Sequence, residues 1–310
     1  MRADLAARVR QAAAQLGYVP DRRARALVQR RSCTIGAIVP TVDNAIFARA
    51  IQALQRRLDA AGYRLLLATS EYDAGREVAA VQALIEHGVD GIVLVGAEHH
   101  PRVAELVASR AMPVVDTWTN AADGPHASVG FDNRDAMRRM TAYVADLGHR
   151  RIAMIAGVAA GNDRATARIA GFRDALARRG IAPVAVVERA YTVPDGRAAA
   201  RALLGRRDRP TAIVCGNDIL AFGALAEAHA MGIRVPGSLS VTGFDDLDFA
   251  SHVIPALTTM HVPAAEMGRL AAEHLLARLE GRDAAGGVTL DAELIVRASS
   301  APPARRRSAR

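Results

Sequence analysis

From Thr34 onward the chain alternates short, nearly unbroken apolar runs with longer stretches in which apolar side chains recur every three to four positions. The short runs are Thr34–Pro40, Arg64–Thr69, Gly91–Gly96, Pro113–Trp118, Arg151–Gly157, Val184–Val187, Thr211–Cys215 and Leu239–Gly243. Such runs suit parallel strands covered on both faces. Between them, Ile51/Leu54/Leu58, Val78/Val81/Ile85, Met140/Val144/Leu147 and Ile169/Phe172/Leu176 each fall on one face of a helix. Gly62, Gly88, Gly148, Gly180 and Gly232 follow helical stretches, where a left-handed residue closes the last turn. Repeated β-α-β units predict an α/β fold of open parallel sheets with right-handed crossovers.

Two blocks, about 34–130 and about 132–258, suit two lobes better than one large sheet. A helix at 264–280 and a β-rich run at 288–298 are too little for a third domain and complete the two lobes. The expected division is an N-lobe of about 33–130 plus 261–287 and a C-lobe of about 132–259 plus 288–299. The chain then crosses between lobes more than once. Ligands of open α/β sheets sit beyond the C-terminal strand ends. Two facing sheets therefore make a cleft that closes about a hinge.

Charge changes the picture at the two ends. The formal net charge is +8 and every basic residue other than histidine is arginine. Residues 1–31 hold eight arginines against Asp4 and Asp21, a local charge of +6. Arg305, Arg306, Arg307 and Arg310 add +4, which leaves the body at −2. A nearly neutral body with a basic, helically patterned N-terminus points to a polyanion met by that terminus. Residues 301–310 read as a disordered basic tail. The two cysteines give neither a disulfide framework nor metal spacing. No apolar run reaches the roughly 20 residues of a membrane span. Met1-Arg2-Ala3-Asp4-Leu5 leads into a charged amphipathic stretch rather than a signal core. A cytoplasmic protein with no membrane partner is expected.

The loops after the strands carry the candidate chemistry. They present Asp43, Asn44 and Phe47, then Trp118, then Asn162, Arg164 and Arg168, then Asn217, and finally Asp245. Amides and carboxylates bond hydroxyls, while arginine offers two parallel donors to vicinal oxygens or a carboxylate. This is the equipment of a polyhydroxylated-ligand site. Plainer roles compete: Asp43, Asn44 and Asp218 are good helix N-caps, and for Asp218 the cap is preferred. A lone tryptophan is more often packing than platform. His99-His100 reads as a solvated turn without a third metal ligand. Phosphate-loop, dinucleotide and nucleophile-elbow signatures are missing, so neither a cofactor nor catalysis has positive support.

Taken in order, these strings resemble the lactose-repressor (LacI) family from about Arg8 to Ser299. They are Leu16-Gly17-Tyr18-Val19-Pro20, Ala24-Arg25-Ala26-Leu27, Thr34-Ile35-Gly36, Asp90-Gly91-Ile92, Leu147–Ala153, Arg168–Phe172, Pro210-Thr211-Ala212, Asn217-Asp218, Gly243–Asp246 and Pro255–Thr259. The resemblance implies two Rossmann-like lobes of the periplasmic-binding-protein-like (type I) fold, a homodimer, and an effector that shifts affinity for operator DNA. It also implies effector contacts for Arg168, Asn217 and Asp245. The loop usually reading N-P-F-F is Asn44-Ala45-Ile46-Phe47 here, which leaves Phe47 for stacking. Asp116-Thr117-Trp118 with Val129–Asn133 looks closer to gluconate-type repressors, so a sugar acid or related sugar is preferred to a purine. Residues 1–31 match the third helix (3–16) and hinge helix (22–30) of a DNA-binding headpiece. Leu27 takes the minor-groove wedge, with Arg22, Arg23, Arg25 and Ala26 beside it. The recognition helix of the family would precede Met1, so weak operator binding is expected. A sugar-binding module without DNA-binding activity is the alternative, and an enzyme on the same scaffold is a third reading.

Overall fold

The computed structural model describes residues 31–121, 124–282 and 286–304, together with Arg8, Gln11, Ala12, Gln15 and Leu16. Of the helix expected over 3–16, Arg8, Gln11, Ala12 and Gln15 are helical. The expected hinge helix, with Arg22, Arg23, Arg25, Ala26 and Leu27, lies outside the described residues, as do 305–310.

The first lobe runs β1 (Thr34–Val39), α1 (Ala45–Ala60), β2 (Arg64–Thr69), α2 (Ala74–Glu86), β3 (Gly91–Val95), α3 (Pro101–Ala108), β4 (Val114–Thr117) and β5 (Ala127–Gly130). The second runs α4 (Asn133–Asp146), β6 (Ile152–Gly157), α5 (Asp163–Ala177), β7 (Val186–Arg189), α6 (Val193–Leu204), β8 (Ala212–Cys215), α7 (Asp218–Ala230) and β9 (Ser240–Thr242). The chain ends with β10 (Thr259–His261), α8 (Ala264–Leu279), β11 (Val288–Thr289) and β12 (Glu293–Ile295). Sheet order is β11-β5-β4-β3-β1-β2 in the first lobe and β7-β6-β8-β9 in the second, and β10 pairs with β12. Every pairing in the two main sheets is parallel. The apolar runs are explained by burial: every residue of β6 and β8 is inaccessible, whereas edge strand β2 has no buried residue. All five helix-closing glycines have positive φ.

Helices approach closely where glycine permits it. A Cβ on Gly171 of α5 would overlap the Arg134 carbonyl of α4, and one on Gly268 of α8 would overlap the Ala50 carbonyl of α1. The latter contact fixes α8 to the first lobe, where Leu275 and Leu276 join its core.

Three details differ from the sequence reading. Residues 288–299 do not belong to the second lobe as a block. Val288–Thr289 extends the first sheet beside β5, and only the later residues return, with the Ser299 carbonyl accepting from Val241 N at 2.9 Å. Strand β5 is absent from the expected set; at four residues, ASVG, it is too short and too polar to stand out. Residues 301–304 are ordered rather than part of a loose tail. The Ala301 carbonyl lies 2.9 Å from His149 Nε2 and 3.0 Å from Ser240 Oγ. Crossovers at 130–133, 261–264 and 289–293 then lie on one side of the molecule, which places β2 and β7 at the opposite edge.

Candidate functional site

The C-terminal strand ends of both lobes face each other, as open α/β sheets place their ligand sites. One gap between them is lined by Asn44, Ile46, Phe47, Tyr72 and Trp118 from the first lobe. The second lobe contributes Asn162, Arg164, Arg168, Tyr191, Asn217 and Asp245. Eight of the nine sequence-predicted residues therefore meet in one place. Asp43 does not: it is exposed and does not line the gap, because Asn44 rather than Asp43 caps α1, accepting from Ile46 N.

Arg168 sits at the centre. Its Nε donates to Asn133 Oδ1 at 2.9 Å and its Nη1 to the Gly216 carbonyl at 2.7 Å, while Nη2 lies 3.9 Å from Asp245 Oδ1. The guanidinium carbon stacks 3.8 Å above the Phe244 ring, a cation–π contact. Asn133 passes the constraint on, since its Nδ2 donates to the Trp118 carbonyl of the first lobe at 2.9 Å. The arginine is held on three sides, with Nη2 left toward the gap and Asp245.

The loop after β9 divides its two acids. Asp245, at φ +114, points to Arg168, and burial pushes its carboxyl up to about 7 while Arg168 and Arg49 pull it back. Asp246 turns away to Arg297 (2.7 Å) and His261 (3.0 Å). Asp218 was expected as a helix cap, but Asn217 fills that role, its Oδ1 accepting from Leu220 N. Asp218 instead accepts from Leu247 N at 2.7 Å and Thr259 Oγ1 at 2.6 Å, tying down the loop that carries Asp245. Burial and the neighbouring Asp245 charge push the Asp218 carboxyl up to about 8. With its oxygen committed to the cap, Asn217 has a buried Nδ2 that finds no hydrogen-bond partner among the described residues. Such an orphan donor, 1% exposed, is costly unless something bonds it.

Aromatic side chains close the gap. Phe47 and Trp118 pack at 5.0 Å between ring centroids, and Trp118 is held at φ +59. Tyr72 and Tyr191, which follow edge strands β2 and β7, meet across the lobes at 6.0 Å. Sequence reading missed both. Tyr72 stands three residues past a recognised strand and was findable by the strand-end rule. Tyr191 was hidden because the expected strand, 184–187, ends two residues before β7 does. Burial raises both phenols well above their ordinary range, so they stay neutral donors.

Beside the gap, His99 corrects another expectation: its side chain is largely buried, only 9% exposed, rather than that of a solvated turn residue. Nδ1 is 2.8 Å from Glu77 Oε1 and Nε2 is 3.3 Å from Asp116 Oδ1. Burial alone would lower its pKa, but the contacts with Asp116 and Glu77 outweigh it and raise the imidazole to about 10. His126 holds the other Asp116 oxygen at 3.2 Å. Among the described residues no group of three or more His, Cys, Asp or Glu side chains is arranged to hold a metal ion.

Residues 141–300 match the periplasmic binding protein-like domain family. The HTH-type transcriptional regulator GntR of Escherichia coli (strain K12) is 31% identical over 270 residues, covering 86% of this chain and 80% of that protein. A crystal structure of a LacI-family transcriptional regulator from Silicibacter pomeroyi superposes with a TM-score of 0.88 at 25% identity, covering 96% of this chain and 91% of the other. The chain belongs to the LacI family of transcriptional regulators. The lac repressor dimer bound to operator and the anti-inducer ONPF aligns to this LacI-family chain with a TM-score of 0.86 and 26% identity, over 94% of this chain and 89% of its own. These relatives are regulators and not enzymes, which removes the catalytic reading.

Proposed function

We propose that this LacI-family regulator is a cytoplasmic homodimer whose affinity for operator DNA is set by a small sugar or sugar acid held between the lobes. The Nδ2 of Asn217, unpartnered among the described residues, carries the reading, because Asn217 lines the same gap as Arg168 and Asp245. A ligand with several hydroxyls satisfies all three: it accepts from the amide and the guanidinium and donates to Asp245. A carboxylate on the ligand takes the free side of Arg168. Flanking aromatic faces suit the C–H faces of a sugar ring.

The lac repressor complex, a dimer on operator with a small molecule bound, supports the same division of labour here. Dimerisation is supported by apolar side chains left in water, notably Ile254 at 97% and Phe249 at 69% exposure. Arg22, Arg23, Arg25, Ala26 and Leu27 are the proposed minor-groove contacts. Coupling from cleft to DNA starts where the basic segment joins the first lobe. There Asp90 accepts from Ser32 N (2.9 Å) and Cys33 N (2.8 Å), and Arg31 donates to the Leu279 carbonyl. No helix among the described residues is long and apolar enough to cross a membrane.

A thermal-shift screen of sugars and sugar acids tests the proposal. A ligand at 100 times its Kd stabilises by about 2.7 kcal/mol. The hit should then alter binding to the protein's own upstream DNA, followed by fluorescence anisotropy. A panel without a hit, or a hit that leaves DNA affinity unchanged, overturns it.

A further inference from the structure

The two lobes are tied together by side-chain hydrogen bonds that run from one to the other. Asp163 and Arg164, the first residues of α5, reach across to the end of β3. Asp163 Oδ2 accepts from Ala97 N at 2.7 Å, and Arg164 Nη1 donates to the Val95 carbonyl at 3.2 Å. The pair is locked to itself by the Arg164 Nη1–Asp163 Oδ1 contact of 2.6 Å, with both side chains largely buried. Gly96 is shaped to receive it. At φ +100 it adopts a backbone conformation that side chains disfavour, and a Cβ there would collide with Arg164 Nη1. A second tie lies on α1, where Arg49 donates to the Asp246 carbonyl at 3.0 Å and pairs with Asp248.

We infer that Asp163 and Arg164 form a latch that holds the lobes closed in the absence of effector, so that closure is the resting state of this protein. The electrostatics favour it: a buried charge pair completes its hydrogen bonds only when the Val95–Ala97 backbone is in place. When the lobes part, the Ala97 N–H and Val95 carbonyl lose these partners and water must replace them. Arg164 is occupied by the latch, which leaves Nη2 of Arg168 as the guanidinium nitrogen turned to the gap. An effector therefore enters by waiting for, or competing with, the opening of this latch.

Electron–electron resonance distance measurements on the unliganded full chain test it. Spin labels go on Ala79→Cys of α2 and Ala202→Cys of α6, both exposed, in a Cys33→Ser, Cys215→Ala background diluted with unlabelled chain. The latched chain should give one short distance. Arg164→Met and Asp163→Asn should each add a longer population, the closed-to-open ratio falling about tenfold for the loss of one charge-assisted hydrogen bond. Unchanged distance distributions in both variants, or a long distance already dominant in the parent, overturn the inference. Circular dichroism melts of the same samples separate opening from unfolding: a melt kept within a few degrees assigns any longer distance to the latch, whereas a longer distance seen only in unfolded protein counts against it.

Discussion

Replacing His99 by glutamine removes a largely buried imidazolium and keeps most of its volume. In the folded protein His99 lies between Glu77 and Asp116, and its pKa stands at about 10 against an ordinary 6.5. At about 1.4 kcal/mol per pH unit the rise is worth at most about 5 kcal/mol. Desolvation of the carboxylates and relaxation around the glutamine take the working value to about 2–3 kcal/mol. The sign follows from linkage: a raised histidine pKa gives stability that is complete below pH 6.5 and is lost as pH rises through 10. His99→Gln should therefore unfold at lower urea than the parent at pH 6, with the gap shrinking steadily from pH 7 to 10. Urea titrations followed by far-ultraviolet circular dichroism at pH 6, 7, 8, 9 and 10 read it directly. A gap independent of pH, or one that widens toward pH 10, would refute the ion-pair origin of the raised value.

Three further outcomes rest on other parts of the molecule. Asp218, with its carboxyl raised to about 8 by burial, stabilises best when protonated. Wild-type stability relative to Asp218→Asn should fall as pH rises from 4 to 8, as denaturant titrations across that range would show. Gly171→Ala places a methyl against the Arg134 carbonyl and should cost about 1–3 kcal/mol in calorimetric or urea unfolding. Gly157→Ala displaces Tyr191, whose ring covers Gly157, so it should weaken effector binding while changing the melting temperature little.

Much of the fold was legible because β6 and β8 are buried along their whole length and so read as continuous apolar runs. Helix-closing glycines added punctuation that the observed positive φ values match. What stayed hidden was short or polar. Strand β5 is four residues with a serine and a glycine, and β11 is only two residues, its lobe set by pairing with β5 rather than by its own pattern. At the cleft, Arg168, Asn217 and Asp245 could be placed from strand ends. Their real surroundings are long-range: Asn133 for Arg168, Thr259 behind Asp218, and Arg297 taking Asp246 away. His99 shows the same limit. Its two partners lie 22 and 17 positions away and meet it only after α2, β3 and β4 have packed.

Calorimetric titration of the sugar or sugar acid found by thermal shift, into the parent chain, Arg168→Met and Asn217→Ala, tests the cleft most directly. The expected result is one site per chain in the parent. Arg168→Met should lose at least about tenfold in affinity through its charge-assisted bond, and Asn217→Ala a smaller factor through the amide. Unaltered affinity in both variants, with folding intact, would contradict a ligand held between the lobes by these residues.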